Sequence, residues 1–134
     1  MKPEGKMRRR VGLLLVLCLG MGLATAVAQK AKDATEVTPD THRVAWENAN
    51  VRVIEIRAVS GQKIPLHSHP ANVVAVLSPA RVKFTSTDGK TSLVELRPGD
   101  ALWSDGGDHS AEVLAGTVHL IMVEVKGAKP AARP

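Results

Sequence analysis

Three of the five histidines have types and spacing that could do chemistry together. His67 and His69 are two residues apart. On a β-strand, residues i and i+2 project from the same face, about 7 Å apart along the backbone. Two imidazoles placed in this way can reach one ion. His109 lies 40 residues further on, just after Gly106-Gly107 and at the start of a later apolar run. An antiparallel barrel can bring it opposite the pair. Three neutral imidazoles on one side, with open positions opposite, suit Zn, Fe, Ni, Cu or Mn. Alternatively, the three side chains are polar lining of a pocket that binds no ion.

The elements that must position them read as β throughout. Short β-rich runs alternate with turn signals, and no amphipathic helix is evident. The runs are 43–46, 51–59, 64–69, 73–77, 81–87, 91–96, 101–104, 109–114 and 117–126. Asp88-Gly89 is a hairpin signal between two of them. Arg97-Pro98-Gly99-Asp100 is a second turn, and Gly99, Gly106 and Gly107 fit positions of positive φ. Eight or nine short strands at regular spacing predict a sandwich or closed barrel. Residues 117–125 are apolar on both parities, which predicts a strand covered on both faces.

The segment Gly61-Gln-Lys-Ile-Pro-Leu-His67-Ser-His69 has the form G-x5-H-x-H. Pro98-Gly99-Asp100, a strand, a glycine loop and His109 form a second segment. Together they resemble the two motifs of the cupin superfamily, in particular the small single-domain cupins. The resemblance spans about residues 42–126, through Glu47-Asn48, Val51-Arg52-Val53, Asp88-Gly89 and Val123-Glu124-Val125-Lys126. It implies an all-β, single cupin-type jelly-roll β-barrel and a homodimer. It also implies a metal at His67, His69 and His109 and a small-molecule ligand or substrate in the barrel. Cupins usually carry a Glu four or five residues after the second histidine, where this chain has Val73 and Val74. Asn, often found four residues after the last histidine, is replaced by Val113. The carboxylate ligand is therefore missing, and Asn72 is the nearest polar residue to that gap.

Other residues have simpler readings. His42 and His119 stand outside the motifs and read as structural or surface histidines. Trp103 reads as a core residue, with the barrel mouth as its alternative place. Glu112 has odd parity from His109 and reads as exposed. Val73, Val74, Val76, Leu77 and Ile121 are expected to line an apolar pocket. No general base is evident beside the histidines.

The ends account for the charge. The 134 residues carry a net +5, but removal of 1–28 leaves +1, and residues 37–125 alone carry −2. Nothing in the body suggests a nucleic-acid surface. Trp46, Trp103 and Phe84 are the aromatics, too few for base stacking. Arg8-Arg9-Arg10, an apolar stretch and Ala26-Val27-Ala28 form a signal peptide over 1–28, read equally well from Met1 or Met7. Cleavage is expected before Gln29 or Val27, giving a periplasmic or secreted protein. An uncleaved anchor, the one route to a membrane, is the alternative. The single Cys18 would leave with the leader. Residues 29–39 read as a flexible lead-in, 40–126 as the cupin domain and 127–134 as a flexible tail. Two functions remain open: a metal-dependent enzyme of oxygenase or isomerase type, or a non-catalytic binding or sensing module.

Overall fold

A computed structural model describes residues 31–128. The leader and all but the first two tail residues lie outside them. One four-residue helix, α1 (Ala34–Val37), precedes eight strands. These are β1 (His42–Glu47), β2 (Val51–Val59), β3 (Lys63–His69), β4 (Asn72–Val76), β5 (Ala80–Ser86), β6 (Thr91–Leu96), β7 (Ala101–Ser104) and β8 (Gly107–Val125). All strand pairings are antiparallel. No helix among the described residues is long and apolar enough to cross a membrane.

The last two expected strands are one. β8 runs for 19 residues and joins two sheets. Its first half pairs with β3 and β5, and its second half with β2 and β4. β6 extends the first sheet beside β5, while β1 and β7 flank the second. The bend between the halves falls at Gly116, with φ +76°. A Cβ there would collide with the carbonyl oxygen of Pro79. Glycine at this position lets the strand turn from one sheet into the other without breaking.

The alternation of side chains builds the core. Ile54, Ile56 and Ala58 of β2 face Val118, Leu120 and Met122 of β8 across the strand register, and all six are buried. Val82 and Val113 close the other sheet in the same way. The opposite parity of β8 is only half covered at His119, Ile121, Val123 and Val125. The strand is thus fully buried on one face, not on two. The partial cover on the outer face comes from its flanking strands.

The stretch read as a flexible lead-in is docked from Lys32 onward. Asp33 caps α1 by accepting from the Thr35 amide at 2.9 Å. Ser68 donates its amide to the Lys32 carbonyl at 2.8 Å, and Arg52 pairs with Asp33 at 2.5 Å. Ala34 is wholly buried. A cap, a backbone bridge and an ion pair hold a segment whose Ala/Lys composition suggests solvent.

Candidate metal centre and cavity

His67 and His69 occupy one face at the end of β3, and His109, the third residue of β8, stands directly opposite His67. The ring centres of His67 and His109 are 4.6 Å apart, those of His67 and His69 4.9 Å, and those of His69 and His109 5.5 Å. The three motif rings are neighbours, but the group whose ring nitrogens lie mutually within 4.8 Å is His42, His67 and His69 and does not include His109. Gly106 sets the approach of β8. A Cβ on it would lie 2.5 Å from the His69 carbonyl oxygen, so the loop passes against the backbone of the histidine strand.

His42 joins them. It is buried, with its ring centre 5.1 Å from that of His67 and 5.3 Å from that of His69. One ring nitrogen from each of His42, His67 and His69 lies within 4.8 Å of the other two. Its reading as a structural histidine fits this burial and its contacts with Thr38 and Thr41, and the placement beside the motif pair is what the sequence did not show. Sequence spacing gave no signal, because its position follows from the pairing of β1 with β2 and from the docked segment before it. His119 does lie on the outer face, 3.1 Å from Glu55.

Hydrogen-bond partners set the tautomers. His67 Nδ1–H donates to the Pro65 carbonyl at 2.7 Å. His69 Nδ1–H donates to Glu124 Oε1 at 2.8 Å. The Thr38 and Thr41 hydroxyls each have a backbone carbonyl to donate to, at 2.7 and 3.2 Å. Their oxygens are left to accept from His42 Nδ1–H, both at 2.8 Å. In all three rings Nδ1 is the nitrogen engaged by these partners, which leaves Nε2 as the atom that could ligate. Burial, reinforced by repulsion from the neighbouring imidazoles, lowers His42 to about 3 and His109 to about 4. Burial also lowers His67. The rings of these three are neutral at pH 7, the state a metal ligand requires.

Glu124, which the resemblance includes without a role, is the carboxylate beside the site. It is 1% exposed. Oε1 holds His69, while Oε2 accepts from Arg52 Nε at 2.6 Å, and Arg52 continues to Asp33. With both oxygens engaged, Glu124 orients a histidine and is not placed as a free ligand. Its parity was the available signal: a glutamate on the face of Val118, Leu120 and Met122 must be paired. Glu112 lies half exposed, with Lys83 at 2.5 Å.

A cavity of about 430 Å³ adjoins the cluster, with His69, His109 and Asn72 among its lining residues. Its walls include Val74, Phe84, Leu96, Leu102, Leu120 and Met122. Of the five expected apolar lining residues only Val74 is there. Val73 and Ile121 have the parity opposite to Val74 and are exposed and half covered, Leu77 is exposed, and Val76, on the face of Val74, packs in the core. Trp103 is 58% exposed and borders this cavity, so its core reading gives way to the mouth. Asn72 is 2% exposed and donates to the Pro70 carbonyl at 2.8 Å. Its Oδ1 is buried with no hydrogen-bond partner among the described residues. A polar atom left so costs about 1–3 kcal/mol.

With this geometry in view, known structures define the fold. A cupin domain from Bordetella pertussis Tohama I superposes with a TM-score of 0.58 at 19% identity, covering 74% of this chain and 99% of that one. An uncharacterized conserved protein with a double-stranded β-helix domain from Klebsiella pneumoniae gives a TM-score of 0.50 at 21% identity, over 66% and 73% of the two chains. The fold is the cupin jelly roll, the double-stranded β-helix. No protein-family model matches the sequence, and no curated protein matches it.

Proposed function

We propose that this cupin-fold protein binds one divalent transition metal (Zn, Fe, Ni, Mn or Cu) through His67, His69 and His109, and a small molecule in the adjoining cavity. The carrying observation is the tautomer pattern: His67 and His69 are both tied down through Nδ1, and the lone pair at Nε2 is left available. The donor set fits such an ion, since neutral imidazole suits Zn, Fe, Ni and Cu in particular. When bound, the ion would supply a Lewis acid or redox centre. The chain's own part is to hold the rings neutral, orient His69 through Glu124, and surround the ligand with apolar walls.

Two functions fit this arrangement. One is a metal-dependent enzyme of oxygenase or isomerase type. The other is a non-catalytic binding or sensing module. The second is favoured by Glu124, whose two oxygens are both occupied, so that this carboxylate is not free to act as a base.

Elemental analysis of the mature, untagged protein tests the reading. Stoichiometric transition metal, lost in His67→Ala and His109→Ala, is expected. No bound metal, together with unchanged thermal stability on adding Zn, Ni, Fe or Mn, overturns it. Turnover and O2-consumption assays on the loaded protein then separate enzyme from binder.

Export and a homodimer belong to the same proposal. The residues of 1–28 support export, and mass spectrometry of periplasmic or secreted material should find a chain starting at Gln29 or Val27. Intact Met1 or Met7 in a membrane fraction would refute it. For the homodimer, Trp46, Val53, Val123 and Val73 stand opposite one another across four strands. Trp46 is 54% exposed and Val73 38%, an apolar row that suits a second copy. Sedimentation equilibrium reads the outcome directly.

A further inference from the structure

We infer that His42 is a fourth imidazole ligand to the same ion, placed beside His67 and His69 by β1 and the docked segment before it. This rests on the metal reading above. A ring whose nitrogen is about 2.0–2.1 Å from an ion has its centre about 3.2 Å from it. Two such rings are then about 4.5 Å apart at a right angle and about 5.2 Å apart at the tetrahedral angle. The separations of His42 from His67 and His69 are 5.1 and 5.3 Å, and the motif rings stand 4.6, 4.9 and 5.5 Å from one another. His42 thus stands from the pair as a ring sharing their ion would.

Three further observations agree. The Nδ1 contacts of His42 with Thr38 and Thr41 leave its Nε2 lone pair available, as in His67 and His69. His42, His67 and His109 together line a void of about 40 Å³ at the edge of the core. The nearby carboxylate, Glu124, is held by His69 and Arg52. The inferred ligand set is therefore four imidazole nitrogens. Such a set selects a borderline ion of the zinc, nickel or copper kind over a hard, oxygen-preferring ion such as manganese.

The test uses the full mature chain, untagged, with Zn(II), Mn(II) and 113Cd(II) as the probes. In wild type, 113Cd should show one-bond couplings to ring nitrogens of His42, His67, His69 and His109. His42→Ala should weaken Zn(II) binding at least tenfold. His42→Glu should shift the Zn(II)/Mn(II) affinity ratio at least tenfold toward Mn(II). Bound cadmium coupled to the three motif histidines but not to His42 overturns the inference and leaves the metal reading standing. Failure of every ion to bind wild type overturns both. The coupling measurement needs no variant, so a His42 substitution that fails to fold does not remove the test.

Discussion

Glu124 accepts the Nδ1 hydrogen of His69 at 2.8 Å, and the two side chains are 1% and 2% exposed. The contact joins the end of β8 to the end of β3 across 55 residues of chain. It also links the candidate metal centre to the docked N-terminal segment, since the other oxygen of Glu124 holds Arg52 and Arg52 holds Asp33.

Removing that carboxylate should hurt twice. Glu124→Ala leaves Arg52 without its buried partner and His69 without its acceptor, and should lower folding stability by about 3–5 kcal/mol. Urea denaturation measures this. In a variant that still folds, metal affinity should drop about 10–100-fold, the usual effect of losing a histidine's outer partner. Glu124→Gln keeps an acceptor for only one of the two, and should fall between wild type and alanine.

The metal-free protein should be acid-labile. His42, His67 and His109 have pKa values below the ordinary 6.5, in His42 and His109 to about 3 and about 4. The unfolded chain therefore takes up protons first. Stability from these groups is complete above about pH 6.5 and is lost progressively as the pH falls toward 4 and below. Thermal melts from pH 7.5 to 4 should show a falling Tm. Bound Zn(II) should move the decline to lower pH, because a coordinated imidazole resists protonation.

Asp33 should control the order of residues 32–41. Asp33→Ala removes the α1 cap and the Arg52 pair together, and loss of a cap alone costs about 1 kcal/mol. Hydrogen exchange should accelerate at the amide of Ser68, which bonds Lys32, and at Thr38, while the β2 amides opposite β8 keep their protection.

Gly116→Ala should destabilise by well over 1 kcal/mol. The residue sits at φ +76°, and a Cβ would meet the Pro79 carbonyl. Gly89→Ala is the control, since its φ is also positive at +81° but nothing lies within 4 Å of the added carbon. Chemical denaturation of the pair separates collision from backbone strain.

What the sequence revealed and what it concealed divide along a physical line. His67, His69 and His109 were legible because two residues at strand period share a face, and a glycine loop before a strand places the third. Strand limits followed from alternation and turns, except at 115–116. There Ala115-Gly116 looks like a break, yet Gly116 only bends β8. His42 was not legible. Its neighbours in space are 25 and 27 residues away, and only the register of β1 on β2 and the docking of 32–41 put it there. Glu124 was not read as a buried residue: it shares the parity of Val118, Leu120 and Met122, but nothing local identified Arg52 and His69 as its partners.

A single strand that serves two sheets has a consequence for how the chain finds its fold. Slipping β8 by one residue would turn His109 away from His67 and, in the same motion, swing Glu124 out toward water. An error in either half is penalised by the other half as well. The long strand acts as a ruler that measures both layers at once, and the histidines can assemble only when both readings agree.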